Sequence, residues 1–384
     1  MVTANRLHTV EEYYFSKKLR EVNALKAAGA PIINLGIGSP DLPPPKTVIA
    51  AITASLSDAT AHKYQSYQGL PELRSAMADF YKIHYNVTLN SDNEVLPLIG
   101  SKEGIMHISM AYLNEGDAVL IPNPGYPTYT AVTKLVGATP IFYDLKATSN
   151  WQPDLAALEA LDLSKVKIMW VNYPHMPTGT LANQVALKAL VDFAKKHCIL
   201  LINDNPYSFI LNDQPSSIFN IEGAKEVCLE LNSLSKTFNM SGWRVGMLTG
   251  SAEHLNNVIK VKSNMDSGMF YGIQKGAIEA LNSSKEWFTD LNKIYSERRE
   301  LVWKLATALN CTFETTTSGM FVWAKLPSGL SSEAFIDTIL QKHHIFIAPG
   351  TIFGSNGEGY IRFSLCAPKD SIQSAINRDR KSVV

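Results

Sequence analysis

Through the middle of the chain, short and nearly continuous apolar runs alternate with stretches of helical periodicity. EVLPLIG (94–100) reads as a strand, and SKEGIMHISMAYLN, directly after it, as a helix. DAVLIP (117–122) closes on the loop NPGYPTY, and VKIMWVNYP (166–174) runs into a second loop. ALKALVDFAKKH (186–197) has the spacing of an amphipathic helix. CILLINDNPY (198–207) and EVCLELNSLSK (226–236) are two more apolar runs closed by polar residues. Runs of this kind fit strands covered on both faces, and their alternation with helices predicts a largely parallel, doubly wound α/β sheet.

The later pattern differs. A long amphipathic helix is predicted over 284–310, then FVWAKLP, a short helix around 332–343, IFIAPG and YIRFSLC. That α+β order predicts a second, smaller domain. The proline cluster PDLPPP (Pro40 to Pro45) blocks helix and ladder hydrogen bonds and reads as a connector. The expected division is an N-terminal arm at 1–45 that joins the small domain, a large domain at 46–280, and a small C-terminal domain at 281–384. Neither internal repeats nor low-complexity segments interrupt it.

Composition narrows the function classes. At 384 residues, 46% hydrophobic and 18% charged, the chain is a folded protein rather than a disordered one. Lys+Arg and Asp+Glu are both 35, which leaves no net field to hold nucleic acid or an anionic membrane. Cys198, Cys228, Cys311 and Cys366 lack metal-ligand spacing and are expected to be reduced, buried thiols, with no metal site. The polar start MVTANRLHTVEEYYFSKKLR is unlike a secretion signal. No apolar run approaches the about 18 residues a membrane helix needs. The expectation is a soluble, cytoplasmic protein.

In open α/β sheets, ligands bind beyond the carboxyl ends of the strands, so polar residues just after apolar runs are the candidates. They are Ser101, Lys102, Tyr126, Asn172, Asp204, Tyr207, Ser233, Ser235 and Lys236. A lysine at a strand end inside a cleft can have a lowered pKa and attack an aldehyde as a free amine, although such a lysine is more often simply solvated. Ser233 and Ser235 before Lys236, and Arg244 eight residues after it, suit a phosphate. Asp204, ending a buried strand, needs a cationic or donor partner such as a protonated pyridine nitrogen; Tyr207 could donate to a ring oxygen. An Asx-type turn is the competing reading of Asp204–Tyr207. Gly100-Ser101-Lys102 opens a helix after a strand and so offers an anion site, or merely an N-cap.

SLSKTFNMSGWRVG (from Ser233) resembles the cofactor-lysine signature of the class I/II aminotransferases, fold-type I enzymes that use pyridoxal 5′-phosphate. The resemblance extends in order over nearly the whole chain: NLGIGSPDLP from Asn34, YQSYQGLPELR from Tyr64, GSKE from Gly100, PNPGYP from Pro122, NYPHMPTG from Asn172, DNPY from Asp204 and YIRFS from Tyr360. It implies a fold-type I architecture, a mostly parallel seven-stranded sheet between helices plus a smaller α+β domain. It implies that Lys236 binds the cofactor as a Schiff base and then moves a proton as general acid–base. Asp204 would pair with the pyridine nitrogen, Tyr207 and Asn172 would serve the cofactor ring, and Tyr126 would stack on it. Ser101, Lys102, Ser233, Ser235 and Arg244 would surround the phosphate. Tyr64 would reach the phosphate of a partner subunit, which implies a homodimer. Arg362 would hold the substrate α-carboxylate, Gly38 would lie against the substrate, and Tyr13 would close over it, unless Tyr13-Tyr14-Phe15 is an aromatic staple that packs the arm.

One position departs from the family pattern N-P-T-G: Met176 stands where asparagine donates to the ring oxygen, and a thioether cannot donate. The loss should raise the pKa of the lysine–cofactor linkage or move the load to Tyr207, unless Asn172 compensates. Arg298 and Arg299, on the long helix, are expected in surface or domain-interface pairs. Within the family the chain looks most similar to the LL-diaminopimelate, alanine and aspartate aminotransferase branch. The implied activity is ping-pong amino transfer between a small α-amino acid and a 2-oxo acid; a carbon–sulfur β-lyase on the same fold is the alternative. A DNA-binding regulator has no room for its extra domain, and Gly36-Ile37-Gly38 lacks the third glycine of a dinucleotide site.

Overall fold

The computed structural model describes residues 1–10, 12 and 14–380. Strands follow in chain order as β1 (Ile33–Asn34), β2 (Val95–Leu98), β3 (Ala118–Asn123), β4 (Thr139–Asp144), β5 (Val166–Val171), β6 (Leu200–Asp204), β7 (Cys228–Ser233) and β8 (Gly246–Gly250). The later strands are β9 (Thr312–Phe313), β10 (Phe321–Lys325), β11 (Ile345–Phe346), β12 (Ala348–Pro349) and β13 (Tyr360–Ser364). A seven-stranded sheet has the order β2-β8-β7-β6-β5-β3-β4, with β8 antiparallel to both its neighbours and every other pairing parallel. The expected fold-type I sheet is this one.

Its central strands explain their own sequence pattern. Every residue of β3, β6 and β7 is buried, because helices cover both faces. Lys236 does not end its strand as the apolar run suggests: β7 stops at Ser233, and Lys236 lies in the four-residue helix Leu234–Thr237. Ser233 caps that helix by accepting from Ser235 N. β4 and β8 were not legible. β4 is an edge strand with only Tyr143 buried, so its residues need no apolar run. β8 reads GMLTG, and glycine tolerates its crowded register beside Ser101 and Asn232.

A second sheet, β12-β13-β10-β9, is antiparallel, and β1 pairs with β11 in parallel, fastening the N-terminal segment to C-terminal structure. The long helix is Lys285–Ala308, and Ser332–His343 matches the expected short one. The aromatic-rich N-terminal stretch continues into the helix Tyr14–Ala27, which the sequence pattern did not resolve. The cysteine expectation holds for buried Cys228 and Cys311, while Cys366 is half-buried and Cys198 is exposed; all four are free thiols. Cys198 follows the helix Gln184–His197 with φ 53°, a surface C-cap that the apolar residues beside it concealed. No helix among the described residues is long and apolar enough to cross a membrane.

Arg298 is buried rather than a surface residue. Its two terminal nitrogens bind both oxygens of Asp41 at 2.6 and 2.8 Å, and it also donates to Leu365 O at 3.1 Å. Arg299 donates to Thr317 O at 2.9 Å and lies over the Trp303 ring. The Asp41 pair anchors the segment just beyond Gly38 to the long helix. Arg298→Ala should lower the urea midpoint, with a loss on the order of 3 kcal/mol from stranding a partly buried carboxylate. An unchanged midpoint would show that the pair carries no stability.

Candidate active site

Six of the seven large-sheet strands run one way, so their carboxyl ends share one rim. β8 runs the other way, and its beginning therefore reaches the same rim: Gly246 is registered against both Ser233 and Leu98. Arg244, two residues before β8, thus arrives beside the start of the helix Ser101–Tyr112. From the other side β13 brings Arg362, registered against Trp323 and Ala348. Between them lies a cavity of about 410 Å³.

One end of it is an anion cup. Ser101 and Lys102 open their helix after Gly100, whose φ of 84° is left-handed and whose missing side chain leaves room for the Arg244 guanidinium. Ser233 and Ser235 line the same cavity. Arg244 itself adopts φ 58°, donates to Ser241 O at 2.7 Å and approaches Ser235 Oγ at 3.5 Å. A bulky residue in that conformation is strained, and here it converges with a second cation and a helix N-terminus. Burial and the nearby Arg244 charge lower the pKa of Lys102.

Lys236 Nζ donates to Gly38 O at 2.5 Å. Burial is the main cause that takes its pKa down to about 8, and the charges of Arg362 and Arg244 add to the effect. Asp204 is fully enclosed at the end of β6; burial raises its pKa to about 7, against the lowering influence of a hydrogen bond from Tyr129. That bond, Tyr129 Oη to Asp204 Oδ2, is 2.8 Å long. Oδ1 has no hydrogen-bond partner among the described residues. Tyr126 and Tyr207 also line the cavity, and burial raises both phenol pKa values.

Arg362 is surrounded by rings. Its guanidinium carbon lies 3.9 Å from the Phe321 centroid, 4.7 Å from Phe353 and 5.6 Å from Phe15. Nη2 donates to Gly36 O at 2.9 Å, and Nη1 meets the Met176 sulfur at 3.4 Å. Asn172 lines the cavity, but its amide serves the backbone: Nδ2 donates to Asp204 O, and Oδ1 accepts from Met176 N at 2.8 Å. Rather than being free for a ring, that amide is committed to holding the backbone around Asp204 and Met176.

The structure thus gathers Gly38, Ser101, Lys102, Tyr126, Asn172, Asp204, Tyr207, Ser233, Ser235, Lys236, Arg244 and Arg362 around one cavity. Tyr64 is elsewhere, 91% exposed. Tyr13 lies outside the described residues. Among the described residues, Glu103, His107 and Asp266 bring carboxylate and imidazole atoms together, and buried Lys262, 2.6 Å from Asp266, supplies the cation there.

Residues 30–378 match the family model for aminotransferase class I and II. The chain belongs to this aminotransferase family. It is 40% identical over 381 residues to an LL-diaminopimelate aminotransferase of Dehalococcoides mccartyi, covering 98% of this chain and 97% of the relative. It is 38% identical over 384 residues to the enzyme of the same name from Halothermothrix orenii, covering 100% and 99%. The solved structure of apo-BacF from Bacillus subtilis superposes with a TM-score of 0.95 at 34% identity, covering 100% and 99%. The activity is therefore transfer of an amino group between an amino acid and a 2-oxo acid, and nothing in these relatives supports the lyase alternative.

Two groups of site residues in this aminotransferase escaped the sequence reading. Tyr129 stands one helical turn after Tyr126 and stacks on Trp170 at 4.8 Å, so it looks like core until its hydroxyl is traced to Asp204. Phe15, Phe321 and Phe353 come from three distant segments, and only the fold brings them to Arg362.

The Asp204 shift gives a signed test. Its folded pKa of about 7 lies above the ordinary 3.8, so stability is fully present below the lower value and is lost as pH rises through the upper one. In the ligand-free protein, Asp204→Asn should gain stability over the parent between about pH 5 and about pH 8. Thermal unfolding of both proteins across that range checks it; a pH-independent difference would mean that Asp204 is not buried as described.

Proposed function

We propose that the cavity holds pyridoxal 5′-phosphate on Lys236, and that the protein exchanges the amino group of a small α-amino acid with a 2-oxo acid in a ping-pong cycle. The observation that carries this reading is a half-buried lysine amine of lowered pKa set between an anion cup, a buried carboxylate and a second arginine. The residues fit that cofactor. The cup of Ser101, Lys102, Ser233, Ser235 and Arg244 suits a phosphate, and the unpartnered Asp204 Oδ1 suits a protonated ring nitrogen. Tyr126 offers a flat face, and Tyr207 a phenol for a ring oxygen.

When bound, the cofactor supplies an aldehyde for the amine and a ring that accepts electrons from Cα. The chain's own residues do the rest. Arg362 grips the α-carboxylate in surroundings from which three phenyl rings exclude water, so the charge contact is strong. Lys236 Nζ, whose pKa of about 8 leaves a usable free-base fraction near neutral pH, takes the proton from Cα and holds it for return. Asp204 keeps the ring nitrogen protonated, and Tyr129 keeps Asp204 aimed. The exposed Tyr64 is assigned to the phosphate of a second copy of the chain, which makes the working unit a homodimer; its neighbour Gln65 packs on Gly268. The arm at 1–45, large domain at 46–280 and small domain at 281–384 belong to the same reading, supported by the separate sheets and the β1–β11 pairing.

Borohydride reduction followed by peptide mapping should fix the cofactor to Lys236, and Lys236→Ala should slow the half-reaction by at least about 10²–10⁴, the size of proton-transfer catalysis alone. Label elsewhere, or a protein that takes up no cofactor, would end this reading. Arg362→Ala should raise KM about 30-fold or more, since loss of one partner of a buried charge pair costs about 2–5 kcal/mol. In Met176→Asn, the restored donor should lower the midpoint of the pH titration followed by cofactor absorbance. A stationary midpoint would show that position 176 does not reach the ring oxygen.

A further inference from the structure

We propose that the amino acid handled by this site has an apolar side chain, bound by Phe15, Leu19, Ile37 and Phe353. The inference rests on the reading above and takes it to the substrate class. Five charged side chains among the described residues line the cavity: Lys102, Asp204, Lys236, Arg244 and Arg362. Each already has a partner in that reading. Lys102 and Arg244 face the phosphate, Asp204 the ring nitrogen, Lys236 the aldehyde and Arg362 the α-carboxylate. A substrate charged at its far end would need a further cation or anion there, and an ion left without one in such surroundings carries a large desolvation cost.

Among the described residues, the remaining wall near Arg362 is mostly hydrocarbon. Phe15 and Phe353 stand over the guanidinium, so whatever Arg362 holds lies against their rings. Ile37 sits between Gly36, whose carbonyl accepts from Arg362, and Gly38, whose carbonyl accepts from Lys236. It therefore borders the place between the two groups where the substrate Cα must stand. Leu19, one turn beyond Phe15 on the helix Tyr14–Ala27, extends the same wall. Lys18 fastens that helix to Asp337 at 2.7 Å, which keeps Phe15 and Leu19 over the cavity. Ser16 and Ser39 are the hydroxyls on this side; each can offer one hydrogen bond but no charge. LL-diaminopimelate, for which the curated relatives are named, carries an ammonium and a carboxylate at both ends, and the described residues of this chain's wall answer neither at the far one.

The test uses unreactive carboxylates as well as substrates. Binding of 3-phenylpropanoate, 4-methylpentanoate and pimelate to the holoenzyme is measured by calorimetry, and kcat/KM is measured for L-phenylalanine, L-leucine and LL-diaminopimelate. The apolar member of each set should win by about tenfold or more, the discrimination that one or two buried methylene groups provide. Leu19→Lys should narrow the calorimetric preference by about tenfold through improved pimelate binding, and Phe15→Leu should weaken 3-phenylpropanoate more than 4-methylpentanoate. Pimelate binding as tightly as the apolar acids, or LL-diaminopimelate as the better amino donor, would overturn the inference while leaving amino transfer on Lys236 intact. If no amino acid of any class changes the cofactor absorbance, the reading of Lys236 itself fails, and the calorimetric order still decides the character of the wall.

Discussion

The site depends on weakening the hold of one amine on its proton inside the protein. Lys236 Nζ has lost most of its water, has a backbone carbonyl for a hydrogen-bond partner, and lies near two arginines whose like charge opposes protonation. Moving the amine to the surface would restore its usual proton affinity and cut its reactive fraction near neutral pH by more than about a hundredfold. The carbonyl it touches belongs to Gly38, on a segment fixed at two points: β1 pairs with β11 on one side, and Asp41 pairs with Arg298 on the other. Both anchors are formed with C-terminal structure. The reactivity of a residue just beyond the large sheet is thus set by contacts that belong to the smaller sheets and the long helix.

Two buried carboxylates on adjacent strands show how surroundings divide labour. Glu230 lies on β7 and Asp204 on β6, one register position apart. Glu230 accepts from Tyr81, Asn203, Ser217 and the Ile218 backbone, so its oxygens are fully used within the protein. Asp204 accepts from Tyr129 through one oxygen only. A carboxylate satisfied from within is structural; one left half-satisfied at a cavity wall is ready for an outside donor. Tyr129 holds the used oxygen and leaves the other for a donor from outside the described residues.

Much of this was legible in the sequence because the large sheet is buried on both faces. β3, β5, β6 and β7 had to be apolar runs, and their polar terminators had to fall on one rim, so Ser101, Asp204, Ser233 and Lys236 could be picked out before any fold was known. Edge strand β4 escaped because it is not under that constraint, and β8, although fully buried, because its five residues GMLTG begin and end in glycine and make no apolar run. The ring collar of Arg362 escaped for another reason. Phe15, Phe321 and Phe353 are ordinary core residues by composition, and their convergence is a property of tertiary packing alone. Cys198 shows the opposite error, an apolar neighbourhood in sequence that is a surface cap in space.

Met176 joins the two halves of the site. On the ring side it withdraws a donor that an asparagine would supply, and Asn172 is already tied to the Asp204 carbonyl and the Met176 amide. On the substrate side its sulfur touches Arg362 and adds a polarizable, water-excluding contact to the collar of phenyl rings. One substitution thus moves both halves in the same direction, towards fewer donors and a drier wall. An asparagine beside Arg362 would bring a donor and its water to the edge of the side-chain subsite; a thioether continues the hydrocarbon surface of Phe15, Ile37 and Phe353. The departure from the family pattern at 176 and the absence of an uncommitted charge among the described residues lining the subsite are therefore parts of one design for an apolar substrate.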